Sequence, residues 1–312
     1  NRAVGVEYLR DGRPCILRAR GEVILSGGAI NTPQLLQLSG IGPGDLLQGM
    51  GIPVAVANPN VGAHMTDHHG INYTWAMKVP TYNNILRPWF GKALMGLWYL
   101  ALGGGPLAKS INHGGGFFRT RPDLDRPNMQ LYMQAFSTLL PRAGERPLLT
   151  PDPFPGLSLG LSNCRPTSRG HVRIASPDPL AHPRIVANAF STAEDVEEML
   201  LAVKFLRRIA AQPSFAHWVE EELRPGPQVQ SDEDLIDDFR QRSGTVYHPS
   251  CTARMGPDPA GSVIDARLRV HGVDGLRVAD ASSFPNLIAG NTNAPSIMVG
   301  WKAGEIVLRD AR

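Results

Sequence analysis

The sequence predicts a mixed α/β fold in two parts, and three observations carry that reading. Val23-Ile24-Leu25 is a short, continuous apolar run, the pattern of a strand buried on both faces of a parallel sheet, and it leads into Gly27-Gly28-Ala29-Ile30 and a helix. The same texture returns near the other end, where Leu276-Arg277-Val278-Ala279-Asp280 reads as a strand and Pro295 to Arg309 as a helix. Between them, Pro- and Gly-rich loops separate short alternating runs, which suits an antiparallel sheet flanked by helices. The expected division places 1–64 and 250–312 in one discontinuous domain and 65–249 in a second.

The elements follow in order. Asn1 to Leu9 alternate as a strand, Asp11-Gly12-Arg13 is a turn, and Ile16-Leu17 lie on the extended return, so the chain opens on a hairpin. After Val23–Leu25 a helix is expected from Pro33, capped by Asn31 or Thr32, with the proline in its first turn. Ser39-Gly40-Ile41-Gly42-Pro43 ends that helix, because glycine takes the left-handed cap and proline cannot continue it. The same glycines are therefore not a phosphate loop, which would open a helix. Asp45 to Met50 forms a short helix before Ile52 to Ala57.

In the middle part, Pro80 to Gly105 holds a Trp- and Leu-rich helical stretch ended by three glycines. Met129 to Phe136 and His171 to Ala175 read as strands. Ser191-Thr192-Ala193-Glu194 forms a capping box ahead of an apolar face at Met199, Leu200, Val203, Leu206 and Ile209, with Arg207 and Arg208 at the negative end of the dipole. Asp232 to Arg242 is a further helix. On the last helix, Ile297, Met298, Trp301, Ile306 and Val307 are available for packing.

Composition excludes several classes. Lys+Arg of 31 against Asp+Glu of 28 leaves +3, scattered without any basic block, which argues against nucleic acid as a partner. Cys15, Cys164 and Cys251 are odd in number and match neither a metal-ligand spacing nor a disulfide framework, which fits a cytoplasmic setting with peripheral membrane contact left open. The longest apolar stretch, Ala93 to Leu102, falls short of the ~20 residues needed for a membrane span, so none is predicted. The opening lacks a signal profile, and the chain is expected to start inside a domain. His64, His68, His69, His113, His171, His182, His217 and His271 show no metal-site spacing and read as structural or exposed.

The chemistry is carried by two segments, Tyr247-His248-Pro249-Ser250-Cys251-Thr252-Ala253-Arg254-Met255-Gly256 and Ala289-Gly290-Asn291-Thr292-Asn293-Ala294-Pro295. If their loops converge, His248 and Asn291 can meet on one alcohol oxygen. Histidine, with an ordinary pKa of about 6.5, can take a hydroxyl proton at neutral pH, and an amide can steady the developing negative charge. The strand, loop and helix that follow leave unpaired N–H groups at the helix start, suited to a phosphate or an electron-rich ring. Plainer roles compete: a core histidine at 248, a turn residue at 291, a loop cap at Asp280.

Gly28 to Gly42, Val61-Gly62-Ala63-His64-Met65-Thr66-Asp67-His68 and Ser168-Arg169-Gly170-His171-Val172-Arg173-Ile174, together with the histidine and asparagine segments and in this order, resemble the glucose-methanol-choline family of FAD-dependent oxidoreductases. The resemblance is closest to its choline and alcohol dehydrogenases. It implies an incomplete FAD-binding, Rossmann-like domain plus a substrate domain. It implies His248 as the active-site base and Asn291 as its partner on the substrate oxygen. Ala29, Asp280, Ala281, Asn291, Thr292, Asn293 and Pro295 match positions that lie against FAD. The implied reaction is oxidation of a primary alcohol to an aldehyde with hydride transfer to flavin N5; the electron acceptor is unassigned and an oligomer is left open.

Choline dehydrogenase is the nearest alternative, followed by an oxidase, a flavin-containing lyase of the same fold, and an inactive substrate-binding fragment. The family's opening strand, Gly-x-Gly-x-x-Gly and helix, which hold the ADP half of FAD, do not occur in these residues. The resemblance therefore implies the C-terminal part of a longer enzyme, with activity in the intact protein. Three positions depart from the family: His64 for asparagine, Trp301 for glutamate, and His113 for a carboxylate. The last favours a neutral primary alcohol, since a trimethylammonium group is best held by a carboxylate and aromatic faces.

Overall fold

The computed structural model describes residues 1–140 and 150–311. The chain forms two compact units, one of Asn1–His68, Arg165–Ser191 and Tyr247–Arg312, the other of His69–Cys164 and Thr192–Val246. Residues 165–191 thus join the unit that holds both termini, although their texture resembles that of the surrounding loops.

In the first unit β1 (Gly5–Arg10) and β2 (Arg13–Arg18) form the expected antiparallel hairpin, with Asp11 at φ 52° and Gly12 at φ 74° giving the turn its left-handed twist. β3 (Val23–Leu25) pairs in parallel with β14 (Leu276–Val278), setting Val23 against Leu276 and Leu25 against Val278. α1 (Gly28–Leu38) follows β3, and α8 (Asn293–Asp310) closes the unit. β4 (Ile41–Gly42) and β5 (Val56–Ala57) form a short parallel pair around α2 (Gly44–Gly49), and β10 (His171–Arg173) pairs antiparallel with β11 (Arg184–Val186). Val23, Leu36, Val61, Val263, Ile264 and Val278 share one buried cluster, where each large apolar side chain contributes about 1.5–3 kcal/mol.

One local expectation needs correction in this unit. α1 begins at Gly28, well ahead of Pro33, so neither Asn31 nor Thr32 caps it and the proline sits inside the helix. Thr32 instead accepts from Gly27 N at 3.0 Å and donates to Asp280 Oδ2 at 2.6 Å. A proline at this position removes the N–H that would bond Ala29 O. Thr252 Oγ1 supplies the missing donor at 2.6 Å, which is how the helix tolerates it. On α8, Ile297, Met298 and Trp301 are exposed, while Ala303 is buried. Apolar periodicity marks a face and does not say what covers it.

The second unit is built on an antiparallel sheet in the order β12 (Val219–Arg224), β6 (His69–Met77), β9 (Gly156–Asn163), β8 (Met129–Gln134), β7 (Gly114–Phe118), with β13 (Gly244–Thr245) also pairing with β6. Every residue of β9 is buried, as befits a central strand covered on both faces. α5 (Ala193–Ala210) buries Met199, Ala202, Val203 and Leu206, and α7 (Asp232–Arg242) buries Leu235 and Phe239. α6 (Pro213–Ala216) links α5 to β12. Thr192 caps α5 by accepting from Asp195 N at 3.3 Å, one residue later than the expected box with Glu194. α3 (Tyr82–Leu86) and α4 (Trp89–Leu102) lie between β6 and β7.

Candidate active site

The site begins with a short antiparallel contact in the first unit. Thr66 N donates to Ser250 O at 3.2 Å and Ser250 N to Thr66 O at 2.9 Å, so these residues face each other. Two steps along the same register, His68 faces His248. Their rings meet edge to face with centroids 5.1 Å apart and Nδ1 to Nδ1 at 2.9 Å. Tyr247 at φ 64° and Cys251 at φ 70° bracket the histidine in left-handed backbone, a costly conformation that fixes where its ring points. His248 N donates to Asp67 Oδ1 at 2.9 Å, adding a further tie to the facing segment.

The bonding pattern assigns the protons along this line. His68 Nε2 lies 3.0 Å from the carbonyl of Ile288, which can only accept, so Nε2 carries a hydrogen. In the neutral ring His68 Nδ1 is then an acceptor, and the hydrogen between the two Nδ1 atoms belongs to His248. His248 Nε2 is left with its lone pair, 3.3 Å from Asn291 Nδ2. The relay therefore reads Ile288 O, His68, His248, Asn291, and it ends on a basic nitrogen beside an amide donor. Burial lowers the His248 pKa, and the nearby charge of Asp67 opposes that shift without cancelling it. The ring is thus held neutral at neutral pH.

Asp280, Ala281 and Ala29 come together in a second group. Asp280 Oδ2 accepts from Gly28 N at 2.9 Å and Thr32 Oγ1 at 2.6 Å, while Oδ1 accepts from Ser282 N at 2.7 Å and Ser282 Oγ at 2.5 Å. The loop-capping role is thus realised: the carboxylate joins the start of α1 to the Ala281–Ser283 turn. Ala29 is 5 % exposed, with its carbonyl bonded to Thr252. Cys251 N donates to Ala281 O at 3.2 Å and Ala253 N to Ser282 O at 2.8 Å, which seats the His248 loop along this turn. Thr292, Asn293 and Pro295 stand at the head of α8, immediately after Asn291, and Thr292 makes no side-chain cap.

His68 and Asp67 are the residues that sequence reasoning missed as parts of this site. His68 reads as a leftover histidine because its partner is 180 positions away and no periodicity links them. The one available signal was its place at the end of the Val61–His68 motif. His64, on the same segment, bonds Asn60 Oδ1 at 3.0 Å instead of joining the pair. Among the described residues no group of His, Cys, Asp and Glu is arranged to hold a metal ion.

Residues 1–70 and 166–300 match the two sequence profiles of GMC oxidoreductase. An oxygen-dependent choline dehydrogenase of Pectobacterium carotovorum is 39 % identical over 308 residues, 99 % of this chain and 54 % of the relative. An alcohol dehydrogenase [acceptor] of Pseudomonas putida is 39 % identical over 311 residues, 99 % of this chain and 55 % of the relative. The crystal structure of a formate oxidase superposes with a TM-score of 0.90 at 27 % identity, covering 99 % of this chain and 58 % of that one. The chain spans about half the length of the curated relatives it matches. With the profiles and these identities over nearly its whole length, the chain belongs to the GMC oxidoreductase family.

Proposed function

We propose that the complete protein is an FAD-dependent alcohol dehydrogenase that converts a primary alcohol to an aldehyde, with His248 as the base. The observation that carries this reading is the relay from Ile288 O through His68 to His248, which leaves Nε2 unprotonated beside the Asn291 amide. In the reaction, the substrate hydroxyl gives its proton to His248 Nε2. Asn291 Nδ2 donates to the same oxygen and stabilises its growing negative charge. His68, a neutral acceptor behind the base, stabilises the imidazolium that forms. FAD, when bound, supplies the hydride acceptor. Loss of one proton and one hydride balances alcohol against aldehyde.

The residues present suit that cofactor. The first-turn N–H groups of α8 carry the positive end of its dipole and meet no side-chain cap from Thr292, a setting for an electron-rich ring edge. Because all four bonds to the Asp280 carboxylate are internal, contact at 280–281 would come from backbone. Residues 1–68, 165–191 and 247–312 are proposed as the FAD-binding part and 69–164 with 192–246 as the substrate part. The expected cytoplasmic location is likewise a proposal, resting on the odd cysteine count.

The test is anaerobic reduction of bound flavin by alcohol in the complete protein. His248→Ala is expected to slow it by about 10²–10⁴-fold while bound FAD is retained. Unchanged reduction sinks the assignment of the base. Choline dehydrogenase is the second reading, favoured by the names of the relatives. Against it, His113 is held neutral by burial and by Lys109, and it stacks on Tyr82 at 4.7 Å with no carboxylate in that contact. The ratio of kcat/KM for a linear primary alcohol and for choline separates the two. Peroxide formation during turnover would mark an oxidase.

A further inference from the structure

α4 has the wrong side facing water. Gly91 and Met95 are its buried residues, so the outward arc lies opposite them. That arc carries Trp89, Phe90, Leu94, Leu97 and Leu100, which are 80, 63, 59, 63 and 83 % exposed. An ordinary surface helix presents charges there. Lys92 is the sole charged residue in the whole of α4. Trp98 and Tyr99 sit at the flanks, 44 and 46 % exposed, and Leu107 and Ile111 continue the apolar surface past Gly103, whose φ of 62° turns the chain out of the helix.

Along the sequence, the charge flanking this helix has one sign. From His68 to Pro122 the sequence contains no Asp or Glu, while Lys78, Arg87, Lys92, Lys109, Arg119 and Arg121 are all positive. Elsewhere the same unit is rich in acid, as at Glu220-Glu221-Glu222 and Asp232-Glu233-Asp234. The charged residues nearest α4 along the chain, Arg87, Lys92 and Lys109, are thus all cations. At 14 residues α4 is about 21 Å long, short of the ~30 Å hydrocarbon core, and no described helix is long and apolar enough to cross a membrane. An exposed apolar helix that is too short to span, with Trp and Tyr at its flanks and lysine and arginine around it, has the makeup of an in-plane interfacial helix.

We propose that α4 and the following 106–111 segment dock this protein onto an anionic lipid bilayer, with the Leu97 and Leu100 side chains entering the acyl boundary and the exposed Lys92 and Lys109 meeting the headgroups. The aromatic rings hold depth, since Trp and Tyr settle at the headgroup level. Lys92 reaches outward along its own stem. The unit keeps the helix in place through Met95 on one side and, after the turn, through His113 N donating to Met133 O at 2.8 Å.

The experiment is co-sedimentation of the complete, detergent-free protein with vesicles of phosphatidylcholine plus phosphatidylglycerol, and with phosphatidylcholine alone. The wild type should pellet with the anionic vesicles, and less so with neutral ones or at high salt. Leu97→Asp/Leu100→Asp should lose about tenfold or more in partitioning, with flavin content and circular dichroism unchanged. Should the double variant misfold, bromine-labelled lipids in the same vesicles should quench wild-type tryptophan emission, and Trp89→Phe/Trp98→Phe should remove that quenching. A wild type that stays in the supernatant overturns the proposal, as does a correctly folded double variant that binds equally well. A dimer dissolved by the double variant without vesicle binding would assign the face to a second copy, and protection of α4 by the rest of the protein would assign it there.

Discussion

In the proposed reaction His248 acts through a lone pair whose direction is decided by a carbonyl two rings away. The burial-driven lowering of its pKa has a definite sign in kinetics: the base is competent when deprotonated, so flavin reduction should fall only below the ordinary histidine value of about 6.5. Asp67 raises that pKa, and Asp67→Asn removes the charge, so the acid limb of the pH profile should move further down. A shift upward would show that the Asp67 charge does not raise the His248 pKa. In that reading His68 is a positioning residue, acting through its contact with His248 Nδ1. His68→Leu deletes the acceptor for His248 Nδ1–H and should cost about 1–3 kcal/mol of transition-state stabilisation, roughly five- to 150-fold in rate. His68→Gln, whose amide oxygen can accept the same hydrogen, should recover part of the rate and restore the pH profile. Equal losses in both variants would reduce His68 to packing.

At the scale of elements, α1 is the clearest case of distant residues overriding local preference. Reading from Pro33 suggests a helix that starts there, because proline belongs in a first turn. The earlier start depends on Asp280 holding Gly28 N and on Thr252 bonding Ala29 O, contacts of sequence separation 252 and 223 that no local window contains. Thr252→Val should therefore destabilise the protein by about 1–3 kcal/mol in urea unfolding. Adding Pro33→Ala to Thr252→Val restores an N–H to the helix and should recover part of that loss, a coupling that a double-mutant cycle measures. By contrast, β3, β14 and the β1–β2 hairpin are legible in the sequence because apolar runs and a turn of known chemistry specify them locally. His248 and Asn291 are legible because long motifs surround them. His68 is not, since its role arises only from the register that sets residue 66 against 250.

At the scale of the whole molecule, the first unit is stitched from three stretches of chain, and Arg277 ties two ends of it together. The guanidinium is 5 % exposed and meets Glu22 Oε2 at 2.7 Å, Asp310 Oδ2 at 2.6 Å and the carbonyl of Arg267 at 2.7 Å. Removing a buried partner usually costs about 3–5 kcal/mol, but Glu22 and Asp310 remain 22 and 26 % exposed and can recover water. Arg277→Met is accordingly expected to cost about 3 kcal/mol, read from the denaturation midpoint, and a neutral result would show that the two carboxylates contribute nothing to closing the unit. The division of labour between Pro33 and Thr252 has a consequence for recombination with relatives. Residues 28–38 are not a portable cassette: a chimera with its crossover anywhere between them and Thr252 inherits the proline from one parent and its hydrogen-bond donor from the other. Breakpoints in that interval are safe only where both parents carry both residues, so the helix and a loop more than two hundred residues downstream travel as one heritable module.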